Sequence, residues 1–318
     1  MSKKWILISL TVVILLPVML LIIGVVVLNT TDLKEHRDTI AEHISQATGR
    51  QLSLNGELEL NISTISSIVV TDIALANASW ASEPEMLTIK RVEARIMLLP
   101  LLTGNIQIPH FHLEGVKALA ETNASGISNW MLAKAVDDEV VADDADTTGA
   151  MKLPWIGEMN IVDVELNYHD GQTGKKIKSR LDHARIGASD KNAQTVIDIV
   201  GKVNNNPLEI HGQLALPADL AKSGVEVPIE LQASVLDFKA SVSGLITGTT
   251  DAPVADLTLQ ANAKNLNKLR QVFGEAVPAI SKINFNAKLN SNKSKLKLST
   301  MALELGEGRI DGWFTLDT

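Results

Sequence analysis

The chain has 318 residues, with 29 basic and 37 acidic side chains, a formal net charge of −8 and no cysteine. The acidic balance disfavours nucleic-acid binding through a basic face, and the lack of cysteine excludes thiol catalysis, disulfides and cysteine-ligated metals. Hydrophobic residues make up 45% of the chain and aromatic residues only 3%, so an ordered fold must bury mainly aliphatic side chains. The length suffices for about two domains of ordinary size.

The first predicted element is an apolar segment, residues 5–28, which contains no charged side chain. About 24 residues at roughly 1.5 Å each give roughly 36 Å, enough to cross a hydrocarbon core of roughly 30 Å. A cleavable signal peptide is the alternative, but its apolar region is shorter, and no small-residue cleavage site follows Leu28. We therefore predict an uncleaved signal anchor in residues 1–31, with residues 1–4 in the cytoplasm.

A short amphipathic helix and then many strands are predicted after the anchor. Asp32 and Glu35 have capping-box spacing, apolar residues follow at helical intervals, and Gly49 ends the pattern. From Leu52 onward apolar and polar residues alternate with a period of two, which is typical of half-buried strands. Glycine, asparagine and proline at the breaks favour hairpins. The predicted fold class is mainly β, with about 15 antiparallel strands.

The organisation predicted after the anchor is a β domain in residues 32–136, a linker or long loop in residues 137–151, and a continued sheet in residues 152–318. The middle segment is acidic and contains no basic residue. A calcium site is the alternative for this segment, but the glycine and glutamate spacing of a calcium loop is absent. Short helices are predicted at residues 100–103, 129–135 and 267–273.

No group of residues points to an enzyme. His110, His112 and Glu114 alternate on a predicted strand and would project from one face, within reach of a shared metal. Polar residues are equally ordinary on the solvated face of a strand, and Pro109 favours a bulge or an edge. The glycine run at residues 306–312 has neither the spacing nor the following helix of a phosphate loop. The sequence predicts no catalytic residue, no metal ligand and no cofactor.

Short motifs follow one another in residues 1–135. The predicted helix ends in T-G-R, and alternating apolar and polar residues follow up to a glycine. An apolar strand then ends at an asparagine and a tryptophan. A P-L-L-x-G corner comes next, followed by an asparagine, a glycine and the pair N-W. In this order they resemble the amino-terminal domain of the bacterial AsmA family, and residues 306–316 resemble the family's carboxy-terminal repeat more loosely. The residues that carry the resemblance are Gly49, Arg50, Gly56, Asn77, Trp80, Pro100, Leu101, Leu102, Gly104, Asn123, Gly126, Asn129 and Trp130.

The resemblance implies a single-pass protein of the bacterial inner membrane whose bulk lies in the periplasm, related to chorein-type bridge-like lipid transfer proteins. It implies a long antiparallel sheet curled into an open groove that shelters phospholipid acyl chains, at roughly 0.8 kcal/mol per buried methylene. The implied partners are membrane phospholipid, the inner membrane through residues 5–28, and other envelope proteins, but no nucleic acid. The alternative is an anchored scaffold that binds envelope proteins and carries no lipid.

Length is the main departure from the family, whose members usually continue well beyond 318 residues. About 15 strands at roughly 4.8 Å each would extend only about 70 Å. The alternation from Ile310 to Leu316 predicts an edge strand with little protection by charge or proline. We therefore expect either further strands in the full gene product or pairing of this edge with another chain.

Overall fold

A computed structural model of the chain describes residues 33–101, 105–132, 155–188, 194–214, 226–249, 252–270, 277, 279–292 and 295–317. These residues form fifteen strands, two α-helices and one 3-10 helix, which confirms the mainly β fold class. Within this described part, no helix is long and apolar enough to cross a membrane. The predicted anchor in residues 5–28 and the acidic stretch in residues 137–151 lie outside the described residues.

The chain divides into two compact units, residues 1–178 and residues 179–318. The boundary falls within the strand Lys176–Gly187. We call these segments unit 1 and unit 2.

The described part of unit 1 begins with helix α1 (Leu33–Thr48). The helix buries Ile40 and Ile44 and packs against the first two strands. Gly49 ends the helix with a φ of 64°, a left-handed conformation that glycine adopts without the steric cost of a Cβ. The Thr48 hydroxyl donates a hydrogen bond of 2.7 Å to the Ile44 carbonyl one turn earlier, so the side chain of the last helical residue is bound to the helix itself. The amphipathic helix ending at Gly49 is therefore confirmed.

The sheet of unit 1 contains six strands: β1 (Leu52–Leu54), β2 (Leu58–Asn61), β3 (Ile65–Ala76), β4 (Glu85–Met97), β5 (Gln107–Thr122) and β6 (Trp155–Asp170). β1 and β2 pair in succession with one edge of β3, whose other edge pairs with β4, and β4 pairs with β5. All of these pairs are antiparallel. Leu75, Ile89, Ile96 and Val116 are almost completely buried, so the apolar phase of the central strands forms the core.

β5 and β6 run parallel, with Gln107 beside Trp155 and Thr122 beside Asp170. This corrects the all-antiparallel sheet predicted from the sequence. Alternation reports which face a side chain occupies, and it carries no information about the direction of the neighbouring strand. A parallel neighbour requires a crossover of a dozen or more residues that returns the chain to the end where it started, and residues 123–154 provide this connection.

Three residues with positive φ lie in neighbouring positions across unit 1: Asp72 (49°), Gly115 (66°) and Asp163 (55°). On β5, Leu113 and Val116 on either side of this row are both buried, although residues three apart on a regular strand point to opposite faces. The strand register stays in step across this row, and the buried set of side chains changes there from one alternating phase to the other.

Unit 2 contains nine strands: β7 (Lys176–Gly187), β8 (Thr195–Val203), β9 (Asn206–Leu214), β10 (Val227–Val235), β11 (Phe238–Thr249), β12 (Ala252–Ala263), β13 (Ile283–Asn292), β14 (Lys295–Leu305) and β15 (Gly308–Asp317). Each strand pairs antiparallel with the next one along the chain. The β8–β9 hairpin turns through Asn204 and Asn205, whose φ values of 47° and 65° fit a type I′ turn. The predicted series of antiparallel hairpins is confirmed for this unit.

Two of the three predicted short helices are present with shifted bounds. Helix α2 (Leu98–Leu101) overlaps the prediction at residues 100–103, and a 3-10 helix (Leu266–Leu269) overlaps the prediction at residues 267–273. The helix predicted over residues 129–135 is wrong for residues 129–132, which form a turn and irregular backbone. The physical reason is that the Asn129 side chain is bound to β5, which holds this segment against the strand.

Candidate functional site

The strand register of unit 2 sorts its side chains into two faces. Residues directly opposite each other in antiparallel strands lie on the same face, and successive residues of a strand alternate between faces. Leu231 on β10 lies opposite Val242 on β11, whereas the next residue, Gln232, lies opposite Ser241. The same sorting continues from strand to strand across the unit.

We call the face that contains Leu231 the apolar face. Its described positions are mainly aliphatic residues, glycines, three phenylalanines and a few small polar residues, and none of these positions is charged. Its larger half-buried side chains include Ile197, Ile199, Leu208, Ile210, Ile229, Leu231, Val242, Ile246, Leu259, Phe285, Leu289, Leu296, Leu298 and Leu303.

The exposure of the apolar face distinguishes it from a closed core. In unit 1, the core residue Ile89 is only 1% exposed. In unit 2, Leu257 and Ala287 of the apolar face are also buried, whereas Leu231 and Leu259 in the middle of their strands remain half-buried. The described residues of unit 2 therefore place no second layer over this part of the face, and aliphatic surface stays accessible.

One end of the apolar face is covered. Leu266 and Leu269 of the 3-10 helix are buried against Val235 and Ala263, at the end of the strands where the β10–β11 turn lies. The Asn265 side chain caps this helix by accepting a hydrogen bond from its backbone. The accessible part of the face therefore begins beyond this cap and extends toward the opposite strand ends.

The opposite face of unit 2, which we call the polar face, carries charged and amide side chains. His211 Nδ1 lies 2.8 Å from Asp198 Oδ1, and Lys282 Nζ lies 3.0 Å from Glu304 Oε2. Hydrogen bonds from Lys282 and Asn284 and the charges of Lys282 and Arg309 lower the pKa of Glu304. Charged groups of this kind remain in water, so unit 2 presents one wettable face and one apolar face.

In unit 1, several of the residues that carried the family resemblance converge. The completely buried Asn129 side chain donates hydrogen bonds to Asn77 Oδ1 at 2.9 Å and to the Leu119 carbonyl at 2.8 Å. Its Oδ1 atom accepts a hydrogen bond of 2.9 Å from the Glu121 backbone N–H. The side-chain amide thus satisfies both of its N–H donors and one acceptor site.

The Arg50 guanidinium completes this arrangement. It donates to the Asn77 carbonyl at 3.4 Å and to the Asn129 carbonyl at 3.3 Å. Because Arg50 directly follows α1, these bonds join the end of the helix to the end of β3 and to the turn after β5. We call Arg50, Asn77 and Asn129 the polar cluster, and its geometry is that of a structural connection between three elements.

Glu121, beside the polar cluster, was missed by the sequence reasoning. Its carboxylate is only 3% exposed and accepts hydrogen bonds from the backbone N–H and the hydroxyl of Ser82 at 2.7 and 2.8 Å. His169 Nδ1 lies 3.7 Å from the same carboxylate. The local pattern gave no signal for its burial, because Glu121 shares its strand phase with the exposed Lys117, as residues of a solvated face do.

Asn123, Gly126 and Trp130 lie next to the polar cluster. Asn123 Oδ1 accepts backbone hydrogen bonds from Ser125 at 2.9 Å and from Ile127 at 3.0 Å, which fixes the loop after β5. Gly126 has a φ of 81° within this loop. Trp130 packs against Tyr168 of β6, with ring centroids 6.2 Å apart. These motif residues shape the loop and connect it to the sheet.

Other motif residues lie elsewhere. Gly56 separates β1 from β2, where a Cβ would collide with Thr71 and where its carbonyl accepts a hydrogen bond from Arg37 at 3.0 Å. Trp80 lies in the turn after β3 and is 38% exposed. Pro100 and Leu101 belong to α2, at the opposite end of the β3–β4 pair from the polar cluster. Leu102 and Gly104 lie outside the described residues.

A buried carboxylate also organises the turn after β6. Asp170 accepts backbone hydrogen bonds from Gln172 at 2.9 Å and Thr173 at 3.2 Å, and a hydroxyl hydrogen bond from Thr122 at 3.4 Å. Hydrogen bonding to the Thr173 side chain and these further donors lowers the pKa of Asp170, although its burial opposes the shift. Burial and the nearby Asp170 charge raise the pKa of Tyr168.

The alternating residues His110, His112 and Glu114 do not gather around one point. His110 Nδ1 lies 3.7 Å from Glu158 on the parallel strand β6, whereas His112 Nε2 lies 3.6 Å from Glu114. Across the part of the chain that the structure describes, no group of three or more such side chains has the arrangement of a metal site.

Comparison with known proteins gives the class to which this fold and these motifs belong. The family model of the AsmA family matches residues 1–277. The chain therefore belongs to the AsmA family. The AsmA family protein YhjG of Escherichia coli (strain K12) is 22% identical over 318 aligned residues, which cover 92% of this chain and 46% of that relative. The chain thus spans about half the length of this curated relative.

Proposed function

We propose that this protein is anchored in the bacterial inner membrane and handles or transfers phospholipid in the periplasm, in support of outer-membrane assembly. In this proposal the strands curl into an open groove, and acyl chains lie along the apolar face while the head groups stay in water. The observation that carries the proposal is the apolar face of unit 2, which is uncharged at its described positions and half-buried. Membership of the AsmA family supports it.

The energetics favour a hydrocarbon ligand over a polar one. Each methylene that leaves water contributes roughly 0.8 kcal/mol, so one acyl chain of about ten buried methylenes would gain about 8 kcal/mol before the cost of ordering it. A polar group on the same surface would lose its hydration without a partner, because the described positions of this face offer no charged side chain. The proposed role is therefore binding and transport, without a catalytic residue, metal or cofactor.

The membrane part of the proposal rests on residues 5–28. Their uncharged length fits a bilayer, and the position of Lys3 and Lys4 before the segment favours a cytoplasmic amino terminus. The two described units would then lie in the periplasm.

Site-specific photo-crosslinking tests the proposal with a matched pair of positions. A photoreactive amino acid replaces Leu231, on the apolar face, or Gln232, the next residue on the polar face, in the full chain expressed in bacteria. After irradiation, mass spectrometry of the purified protein should find phospholipid adducts at position 231 and few at position 232. The neighbouring position controls for expression, membrane proximity and probe reactivity.

Two results would contradict the proposal. Equal lipid labelling at both positions would indicate contact with bulk membrane instead of a groove. Protein adducts at position 231, together with an absence of lipid adducts, would favour the alternative function of a scaffold that binds other envelope proteins.

A further inference from the structure

A pocket lies on unit 2 where β13, β14 and β15 adjoin, on a side that includes residues of the polar face. The residues that matter for its chemistry are Lys295, Lys297, Ser299, Thr300, Trp313 and Thr315. Lys297 lies directly opposite Thr315, and its other neighbour in register is Asn290.

An irregularity in the sheet adjoins this pocket. The register between β14 and β15 shifts between Leu298 and Met301, so β14 carries one more residue than its partner there. Thr300 has a φ of 48°, which is a left-handed conformation that is rare for a β-branched residue. Gly312, across from the shift, contributes no side chain. The bulge lies beside the recess that the lysines line.

The lining of the recess is rich in hydrogen-bond donors. It presents the ammonium group of Lys297, the hydroxyls of Thr300 and Thr315, and the indole N–H of Trp313, a residue that is 74% exposed, whereas the second lysine of the lining, Lys295, already interacts within the chain. No carboxylate belongs to the described lining of this pocket. Two carboxylates lie near the lining in the strand register: Asp317 is directly opposite Lys295, and Asp256, opposite Asn290, accepts a hydrogen bond of 3.0 Å from the Asn290 amide.

The charge of this recess is opposite to that of the chain. The protein as a whole carries a formal net charge of −8, yet the described pocket lining has two cationic side chains and no acidic one. Lys297 forms no ion pair with the described residues, so its charge is available to a ligand. Ammonium and hydroxyl donors that converge on one recess are typical of sites for phosphoryl oxygens.

We propose that this pocket binds an anionic phosphoryl group. Lys297 would provide the principal charge, and Thr300, Thr315 and Trp313 would donate hydrogen bonds to the phosphoryl oxygens. The ligand source can be a phospholipid head group or free phosphate. The head-group source rests on the proposed lipid function, whereas binding of free phosphate does not.

The test uses the full chain purified in a non-ionic detergent that contains no phosphate. It is titrated separately with inorganic phosphate and with short-chain dihexanoyl phosphatidylglycerol, and binding is followed by line broadening in phosphorus NMR. Lys297→Gln should weaken binding by about fivefold or more, and Lys297→Arg should restore it to within about twofold. Lys239→Gln, an exposed lysine of the polar face outside the pocket, is the matched control and should change affinity by less than about twofold.

The outcomes separate the ligand sources from a failure of the site. If Lys297→Gln loses binding of both probes, the pocket binds phosphoryl groups and a lipid head group is one of its ligands. If the unaltered chain binds phosphate but not the lipid, and Lys297→Gln loses phosphate binding, the pocket binds free phosphate. Equal losses in Lys297→Gln and Lys239→Gln would overturn the proposal, because they indicate diffuse attraction. So would an absence of binding of either probe by the unaltered chain, or lipid binding that Lys297→Gln leaves unchanged. Crosslinking at Leu231 would be unaffected by any of these results.

Discussion

Asn129 shows how a single polar residue can determine local structure. Its side chain makes three hydrogen bonds in a completely buried position, to β5 and to the end of β3. Deleting the Asn129 amide would remove one hydrogen-bond partner from the side-chain oxygen (Oδ1) of Asn77, from the Leu119 carbonyl and from the Glu121 N–H. Buried groups that lose their partners cost more than the net gain of the original bond.

We predict that Asn129→Ala lowers the free energy of unfolding of unit 1 by about 2–4 kcal/mol. Denaturant unfolding of the full chain, followed by tryptophan fluorescence, to which Trp130 beside Tyr168 contributes, measures this change. Asn61→Ala, at an exposed strand end of the same unit, is the control and should change stability by no more than about 0.5 kcal/mol. A similar small effect for both variants would show that the polar cluster adds no stability.

The buried carboxylate of Asp170 should make the stability of the folded chain depend on pH. Its pKa is lower in the folded chain than in the unfolded chain, so the ionised carboxylate stabilises the fold at neutral pH. This contribution is fully present above the unfolded pKa of about 3.9 and is lost as the pH falls through the lower folded pKa. Asp170→Asn should therefore be less stable than the unaltered chain at pH 7, and the difference should shrink as the pH falls below about 4. Unfolding midpoints measured across this range would contradict the assignment if the difference stayed constant.

At the scale of the element, β6 shows where alternation predicts a face and where it does not. Its sequence alternates Val162, Val164, Leu166 and Tyr168 with Asp163, Glu165 and Asn167, which predicts an apolar and a polar phase, and Val164 is 3% exposed in agreement with this prediction. The positive φ of Asp163 interrupts the phase, so that Ile161, which belongs to the other alternating set, is also buried. This change of phase lies beside the left-handed Gly115 of the partner strand, which the local pattern of β6 does not contain.

We predict that Val164→Asp destabilises the chain by several kcal/mol, because it places an unpaired carboxylate in a buried site. Asn167→Asp, at a half-buried position on the predicted polar phase, should stay within about 1 kcal/mol of the unaltered chain. Thermal unfolding of both variants distinguishes the two faces. If the variants were equally stable, the assignment of faces on β6 would be wrong.

At the scale of the whole molecule, the chain combines a predicted anchor with two β-rich units. After residue 28 the sequence contains no second uncharged apolar run of about 18 residues, the length that a membrane-spanning helix needs. We predict that removal of residues 1–31 releases the protein from the inner membrane. Fractionation of the truncated protein after an alkaline wash tests this, with the full chain as the control. Retention of the truncated protein as an integral membrane protein would contradict a single anchor.

The sequence by itself determined the properties that depend on local periodicity and local turn chemistry. Alternation from Leu52 onward predicted the strands, Gly49 marked the end of α1, and the asparagines at 204 and 205 marked a hairpin. The two faces of unit 2 also follow from alternation, because a side-chain period of two places one phase on one face of a strand. The motif residues themselves were likewise identifiable, since the T-G-R and N-W motifs can be read directly from the chain.

Only the tertiary structure decided which residues meet across long separations. The parallel pairing of β5 with β6 depends on a crossover whose course local alternation does not encode. Arg50 meets Asn77 and Asn129 because α1, β3 and β5 end at the same place, and the turn at residue 129 replaces a predicted helix for the same reason. The recess beside Lys297 adjoins a register shift between two strands, which is a property of their pairing and of neither strand alone.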